Sequence, residues 1–389
     1  MERRRKKQII SVIAAFLAGC LIASTTTVLF LNGGLGGSVR ISKTEYQNMY
    51  SLAVKYQKLE QLAQNINTYY YQDVAEEDLL NGAYKGLVNG LDDPYSSYMT
   101  KEEYSDWKIS ATGKYSGVGI TFSRDDTGYV IIRVNKESPA EKAGLKPGDY
   151  ILSVDGKTYE DVDIMANAIR GDKGTKVKLA YYQDGKEHEV TLTRTNIVQQ
   201  SVEYKMLAGD IGYIQVTAFL EDTAEDFDAA LRALEEKGVK KLVLDLRDNG
   251  GGLVDACINI ADEFLDEGVV TYVEDKQKRR TEYKSKDGKT DLKTVVLVNE
   301  NSASASEILA GALQDNEIPL VGQKTFGKGI IQSTTELEDG SALKLTIMQY
   351  FSPKGRKVHQ TGIKPDYVVK NQEDSKEDAQ LEKALSLLQ

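Results

Sequence analysis

The first apolar block in the chain is continuous. No charged residue interrupts Ile9 to Leu31, enough for a membrane-spanning helix, which needs ~20 residues. Arg3, Arg4, Arg5, Lys6 and Lys7 stand directly before it. A basic flank of this kind stays in the cytoplasm. The pattern therefore predicts a cytoplasmic segment (1–8), a transmembrane anchor (9–31) and a body outside the membrane. Two processing events compete with the anchor. Leu17-Ala18-Gly19-Cys20 fits a lipoprotein cleavage box, yet the residues after Cys20 stay apolar to Leu31. A cleaved signal peptide needs an apolar region of only ~7–15 residues. The uncleaved anchor accounts best for the length of the run.

Asn32 to Gly37 is a glycine-rich spacer. Residues 42–112 then repeat apolar positions three and four apart (Tyr46, Met49 and Tyr50, later Leu79-Leu80, Ala83-Tyr84 and Leu87-Val88), which predicts helices. Leu91-Asp92-Asp93-Pro94 is a turn. The helical region packs on the body or forms a homodimer contact.

At residues 113–195 the period shortens to two. Strands are predicted at Gly117-Val118-Gly119-Ile120, Tyr129–Val134 and Tyr150–Val154, with a hairpin of 177–182 and 189–193 across Asp184-Gly185. Ser138 to Leu145 is a short helix with proline at its first turn and glycine at its end. Residues 163–170 form a second helix. This order of elements resembles a PDZ domain. The resemblance implies capture of an extended peptide C-terminus along a sheet edge, its carboxylate held by backbone N–H groups of Gly117, Val118, Gly119 and Ile120.

Residues 196–370 alternate strands (211–216, 239–246, 294–298) with helices (223–236, 253–265). This predicts an α/β domain with largely parallel pairing. A polar linker and a short helix follow (371–389). The glycine run Gly250-Gly251-Gly252 and the motif Ser302-Ala303-Ser304-Ala305-Ser306-Glu307 both follow strands. Sites collect at such strand ends.

Among 389 residues the formal net charge is −10, which argues against nucleic acid as a partner. Two cysteines, one of them in the apolar run, exclude an internal disulfide framework. No Cys/His cluster has metal-ligand spacing, and no cofactor is called for.

The chemistry lies in the serine motif. A hydroxyl needs a base before it attacks a carbonyl. The chain has two histidines, His188 and His359. His188 sits between Glu187 and Glu189, and no carboxylate beside His359 is evident to orient its ring. A lysine serves instead if an apolar pocket keeps it neutral. Ser302, Ser304 and Ser306 compete as nucleophile. Ser304-x-x-Glu307 fits a capping box, which would start a helix at Ser304. The helix dipole and the Ala305 N–H would then stabilise an oxyanion. Lys324 and Lys328 compete as base. Lys328, between two glycines and before Ile330-Ile331, is set for an inward turn, and Gln332 is placed to orient its amine. Gly250, Gly251 and Gly252 could complete the oxyanion hole. Residues 322–329 fall one residue short of a P-loop, because Gly329 stands where a hydroxyl is needed and a strand follows.

In order, these motifs resemble the C-terminal processing peptidases. They comprise the PDZ segment, Leu244 to Gly252, Ser302 to Glu307, Thr325-Phe326-Gly327-Lys328-Gly329, Pro353-x-Gly355-Arg356 and Gly362-Ile363-x-Pro365-Asp366. The resemblance implies a crotonase- or Clp-protease-like core, a serine endopeptidase on a bacterial cell membrane, and protein substrates recognised by their C-termini. It implies Ser304 as nucleophile, Lys328 as base and Gln332 as support. It also implies that the PDZ domain gates the site, with Arg170 as a candidate contact to the body. The Asp315–Pro319 loop is about a residue shorter than the family pattern. The alternative is a catalytically silent PDZ scaffold, against which the intact Ser304, Lys328 and Gln332 stand.

Overall fold

The computed structural model describes residues 2–31, 41–372 and 377–389; the expected spacer at 32–37 lies outside them. The chain forms two compact units, residues 1–83 and 84–389. In the first, Glu2–Leu31 is one helix, and its Arg4–Val28 stretch is long and apolar enough to cross a membrane (mean hydropathy 2.2). Lys43–Tyr69 is a second helix, started by a Ser42/Glu45 capping box. It buries none of its residues.

The second unit is mixed α/β. Its larger sheet has six strands in the order Tyr367–Val368, Leu320–Gly322, Lys293–Val298, Lys241–Asp245, Ile211–Val216 and Val202–Met206. All neighbours are parallel except the last pair. Both faces are covered, so the strands read as continuous apolar runs rather than alternating ones. Leu242, Leu244, Val296 and Val298 face the helices Thr223–Glu235, Val254–Asp262 and Ala305–Asp315. Val243, Val295, Leu297 and Val321 face the terminal helix Ala379–Leu388, which buries Ala384 and Leu388. Arg247 bridges buried Asp245 (2.6 Å) and Asp378 (2.8 Å) and so ties that helix to the sheet.

A second, five-stranded sheet is wholly antiparallel: Ser97–Met99, Ala342–Phe351, Gly268–Asp275, Arg280–Ser285, and Ile330–Glu336 on Ala342–Phe351. The largely parallel pairing holds for the first sheet, and the antiparallel second sheet gives the mixed α/β architecture that was expected. Ser97–Met99 also interrupts what was read as one helical stretch to 112. Three residues are too few to show a period.

Residues 120–193 form a five-stranded antiparallel sheet with the helices Pro139–Lys142 and Val162–Ile169. Gly117-Val118-Gly119-Ile120 does not open a single strand. Lys114–Gly117 pairs with Thr195–Val198, and the sheet begins at Ile120. Gly119 makes the break at φ +81, where a Cβ would lie 2.3 Å from Ser138 Cβ. Arg194, 8% exposed, donates to the carbonyls of Ala168, Ile169 and Lys176 and to Thr175 Oγ1. A cation here satisfies the helix-end carbonyls of Ala168 and Ile169. Arg194→Leu strands these acceptors, and we expect it to destabilise this module by about 3 kcal/mol. Urea denaturation of the full chain should show an earlier first transition; an unchanged midpoint would refute the assignment.

Candidate active site

Two loops leave the parallel sheet at the C-terminal ends of adjacent strands and are bolted together. Asp248 Oδ1 accepts from the side-chain amides of Asn299 and Asn301, each at 2.8 Å. Ser302 Oγ donates to the Leu246 carbonyl and Ser306 Oγ to the Asn249 carbonyl, each at 2.8 Å. Both serines are fully buried. Their hydroxyl protons are committed to the clamp. Of the three, Ser304 lines a cavity. That cavity, about 400 Å³, also receives Gly250, Gly252, Lys328, Gln332 and Trp107.

Ser304 sits at φ +56, ψ −115, a region that side chains rarely enter. Strand-to-helix nucleophile turns carry this kind of strain. Glu307 shows what holds it. Its fully buried carboxylate accepts from Ser304 N–H (3.0 Å), Gly327 N–H (2.8 Å), Lys328 N–H (2.8 Å) and Thr325 Oγ1 (2.5 Å). Burial pushes this carboxyl above its ordinary range, and the four donors oppose the shift. The sequence showed Glu307 as a helix cap. The structure adds that it fastens the serine turn to the lysine turn. Buried Tyr350 makes a second tie, its hydroxyl 3.0 Å from the Ser304 carbonyl and 2.7 Å from that of Lys328.

Lys328 is half-buried on the turn that Glu307 anchors, whereas Lys324 is exposed. Gly329 is required here, since a Cβ would meet the His359 backbone nitrogen at 2.1 Å. Burial is the main cause that lowers the Lys328 amine below the usual lysine range. Lys344 lowers it further, while Asp93 and Glu307 raise it. Gln332 follows a β-bulge and lines the same cavity. Bulges re-aim side chains beside active sites. Its amide donates to Thr346 Oγ1 at 3.2 Å and not to Lys328, which corrects the expected direct contact.

Ala305 starts the helix, and among the described residues its N–H has no partner, as an oxyanion donor requires. The same holds for the N–H groups of Gly250 and Gly252. Gly251 is different. Its N–H already donates to Asn249 Oδ1 at 2.8 Å, so the expectation of a free donor at Gly251 is corrected. Gly251 instead supplies space, because a Cβ there would lie 2.7 Å from Ser304 Cβ. His359 lines a neighbouring cavity with Asp93 and Tyr95, not the one at Ser304. The strand Ile330–Glu336 after Gly329 leaves no helix for a P-loop.

In the PDZ-like module, a groove of about 280 Å³ lies between the edge strand Ile120–Arg124 and the helix Val162–Ile169, with Val118, Gly119 and Ile120 in its lining. Arg170 ends that helix. It meets Asp106 of the helix Lys101–Thr112 at 3.5 Å and stacks on Tyr115 (5.5 Å to the ring centroid). Asp106 precedes Trp107, which lines the Ser304 cavity.

A strained serine at a helix N-terminus, sharing a cavity with a half-buried lysine, is the layout of a serine-type hydrolase. Comparison with known proteins agrees. Residues 210–369 match peptidase family S41, residues 116–193 match the PDZ domain, and residues 36–103 match the N-terminal domain of the activating protease CtpB. The carboxy-terminal processing protease CtpA of Bacillus subtilis is 37% identical over 371 residues, 94% of this chain and 77% of that one. A Staphylococcus saprophyticus protein named as a CtpA-like serine protease is 39% identical over 317 residues, 79% of this chain and 64% of its own length. A Bacteroides fragilis protein assigned to the S41 proteases shares the fold at a TM-score of 0.52 and 18% identity, over 82% of this chain and 90% of that one. The chain belongs to peptidase family S41, among the CtpA-like C-terminal processing serine proteases.

Glu307→Gln sets an amide NH₂ against backbone N–H donors and loosens both turns. We expect kcat/KM to fall about 10²-fold, the scale of a 1 Å misplacement, with the far-ultraviolet circular dichroism spectrum retained. Full activity would show that the carboxylate is only a helix cap.

Proposed function

We propose that this protein is a membrane-anchored serine endopeptidase that takes protein C-termini in its PDZ domain (113–195) and cleaves peptide bonds in its catalytic domain (196–370). The observation that carries the reading is the division of labour among the three serines. Ser302 and Ser306 give their protons to backbone carbonyls, while Ser304 faces the cavity it shares with Lys328.

In the proposed reaction, neutral Lys328 takes the Ser304 proton as Oγ attacks the substrate carbonyl carbon. The N–H groups of Ala305 and of Gly250 or Gly252 receive the oxyanion. The intermediate collapses, the C–N bond breaks, and Lys328 returns the proton to the leaving amine. Water, deprotonated by Lys328, then attacks the acyl-enzyme, and Ser304 leaves with the proton. Gln332, held by Thr346, supports the base from the cavity it shares with Lys328. No step calls on a metal or an organic cofactor.

The turn at Gly117, Val118, Gly119 and Ile120, at the start of the edge strand, suits a peptide carboxylate held by backbone N–H groups. The Arg170–Asp106 contact supports a PDZ domain that communicates with the catalytic cavity. The apolar helix within Glu2–Leu31 and its basic start support an anchor in a bacterial cytoplasmic membrane with the body outside. Exposed Tyr46, Met49, Tyr50, Leu52 and Leu59 support homodimer formation through the Lys43–Tyr69 helix.

Detergent-solubilised full-length chain should cleave an unstructured protein with an apolar C-terminus. Ser304→Ala and Lys328→Ala should each lose about 10⁴-fold, whereas Ser302→Ala should retain activity and lose about 1 kcal/mol of stability. An active Ser304→Ala variant would overturn the nucleophile. In a second experiment, a peptide ending in free carboxylate should bind the PDZ groove at least about tenfold more tightly than its C-terminal amide, since a charge-assisted contact is worth about 1.5 kcal/mol or more. Equal affinity, by fluorescence anisotropy, would refute carboxylate capture.

A further inference from the structure

The amine of Lys328 points at an aromatic ring. Its Nζ lies 4.9 Å from the ring centroid of Tyr95, within the ~6 Å at which a cation is attracted to a π face. Among the described residues, Nζ makes no hydrogen bond or ion pair; the hydrogen bonds of Lys328 run through its backbone N–H and carbonyl. The ring is therefore the one specific partner of the amine in this state.

Tyr95 is held firmly in place. Asp93 Oδ1 accepts from the Tyr95 N–H at 3.1 Å, and Asp93 Oδ2 accepts from Ser96 Oγ at 2.6 Å. Buried Ser96 accepts in turn from the Thr346 N–H at 3.0 Å. Immediately afterwards, Ser97–Met99 pairs with Ala342–Lys344. The Thr346 hydroxyl takes the Gln332 amide. One residue of the central strand thus anchors both the turn that carries Tyr95 and the glutamine beside the base.

We infer that Tyr95 is a positioning residue for Lys328, seating the ammonium form on its ring face and releasing the neutral amine toward Ser304. The inference rests on the Ser-Lys reading proposed above. A ring quadrupole attracts the cation and has little hold on the neutral amine, so the contact distinguishes the two protonation states. Removing the ring makes the ammonium less stable, and the neutral, proton-accepting form then appears at lower pH. The other charged groups around the amine are Lys344 on the strand Ala342–Phe351, Asp93 on the turn itself and Glu307 on the nucleophile helix. His359 lines the adjoining cavity with Tyr95. The ring variants leave all four in place.

The test is kcat/KM of the full-length protein against pH, whose acid limb reports ionisation of the free enzyme. Tyr95→Phe keeps the π face and should keep the limb. Tyr95→Leu should move it down by about half a pH unit, the equivalent of an exposed cation–π contact. That shift means about threefold higher kcat/KM on the limb. Phenylalanines with one, two and three ring fluorines at position 95 preserve shape while draining the π face. They should lower the limb stepwise, and they decide the matter if Tyr95→Leu does not fold. An unmoved limb across the fluorinated series, an equal shift in Phe and Leu, or an upward shift would each overturn the inference. Activity surviving in Lys328→Ala would sink the Ser-Lys reading and this inference together. An inactive Lys328→Ala with an unmoved limb in the ring series would sink this inference alone.

Discussion

The site depends on one buried carboxylate. Glu307 accepts donors from the serine turn and from the lysine turn, two segments that otherwise belong to different sheets. The serine turn ends a strand of the parallel sheet, and the lysine turn begins a strand of the antiparallel one. Neither is stable in its own right, since one holds a side chain at positive φ and the other is flanked by glycines. An anion with four donors gives both a common origin, and desolvation makes each of those hydrogen bonds costly to lose. The same anion holds the turn that carries the half-buried Lys328, so structural and chemical requirements fall on the same few residues.

Around that anchor, the remaining polar groups each have one task. Ser302 and Ser306 clamp the glycine loop, Asn249 spends its side chain on Gly251 and Val216, and Tyr350 repeats the tie between the two turns. On the proposed reading, what stays uncommitted among the described residues would form the reactive surface: the Ser304 side chain at the cavity, the Ala305 N–H and the N–H groups of Gly250 and Gly252. The catalytic proposal is in this sense an accounting of which donors are already committed.

Much of this was legible in the sequence. The apolar run, the PDZ-like order of strands and the strands at 211–216, 129–134 and 150–154 followed from period and turn chemistry. So did the placement of the serine motif at a strand end. The antiparallel sheet was not legible, because Arg280–Ser285 is polar on much of its length and Gly268–Asp275 pairs with the distant strand Ala342–Phe351. Gly251 was read as a donor since sequence shows a glycine but not which acceptor its N–H has found. The Gln332 partner was missed for a related reason: a bulge between Ile331 and Gln332 turns the side chain toward Thr346, and nothing in a β-branched run announces a bulge. Tyr95 and Arg194 had no signal at all, being ordinary residues until a distant segment folds against them.

That distance has a consequence for the life of the molecule before it is finished. The parts of the site come from Tyr95, Gly250, Ser304, Lys328 and Thr346, and the sheet that backs it is completed by Tyr367–Val368 and closed by the Ala379–Leu388 helix. A ribosome must deliver the chain as far as Phe351 before the lysine turn has its partner strand to lie against. A partial chain carries the serine but not its frame. For a peptidase, synthesis order of this kind acts as a safety catch, because the serine emerges well before the strand that frames the lysine turn.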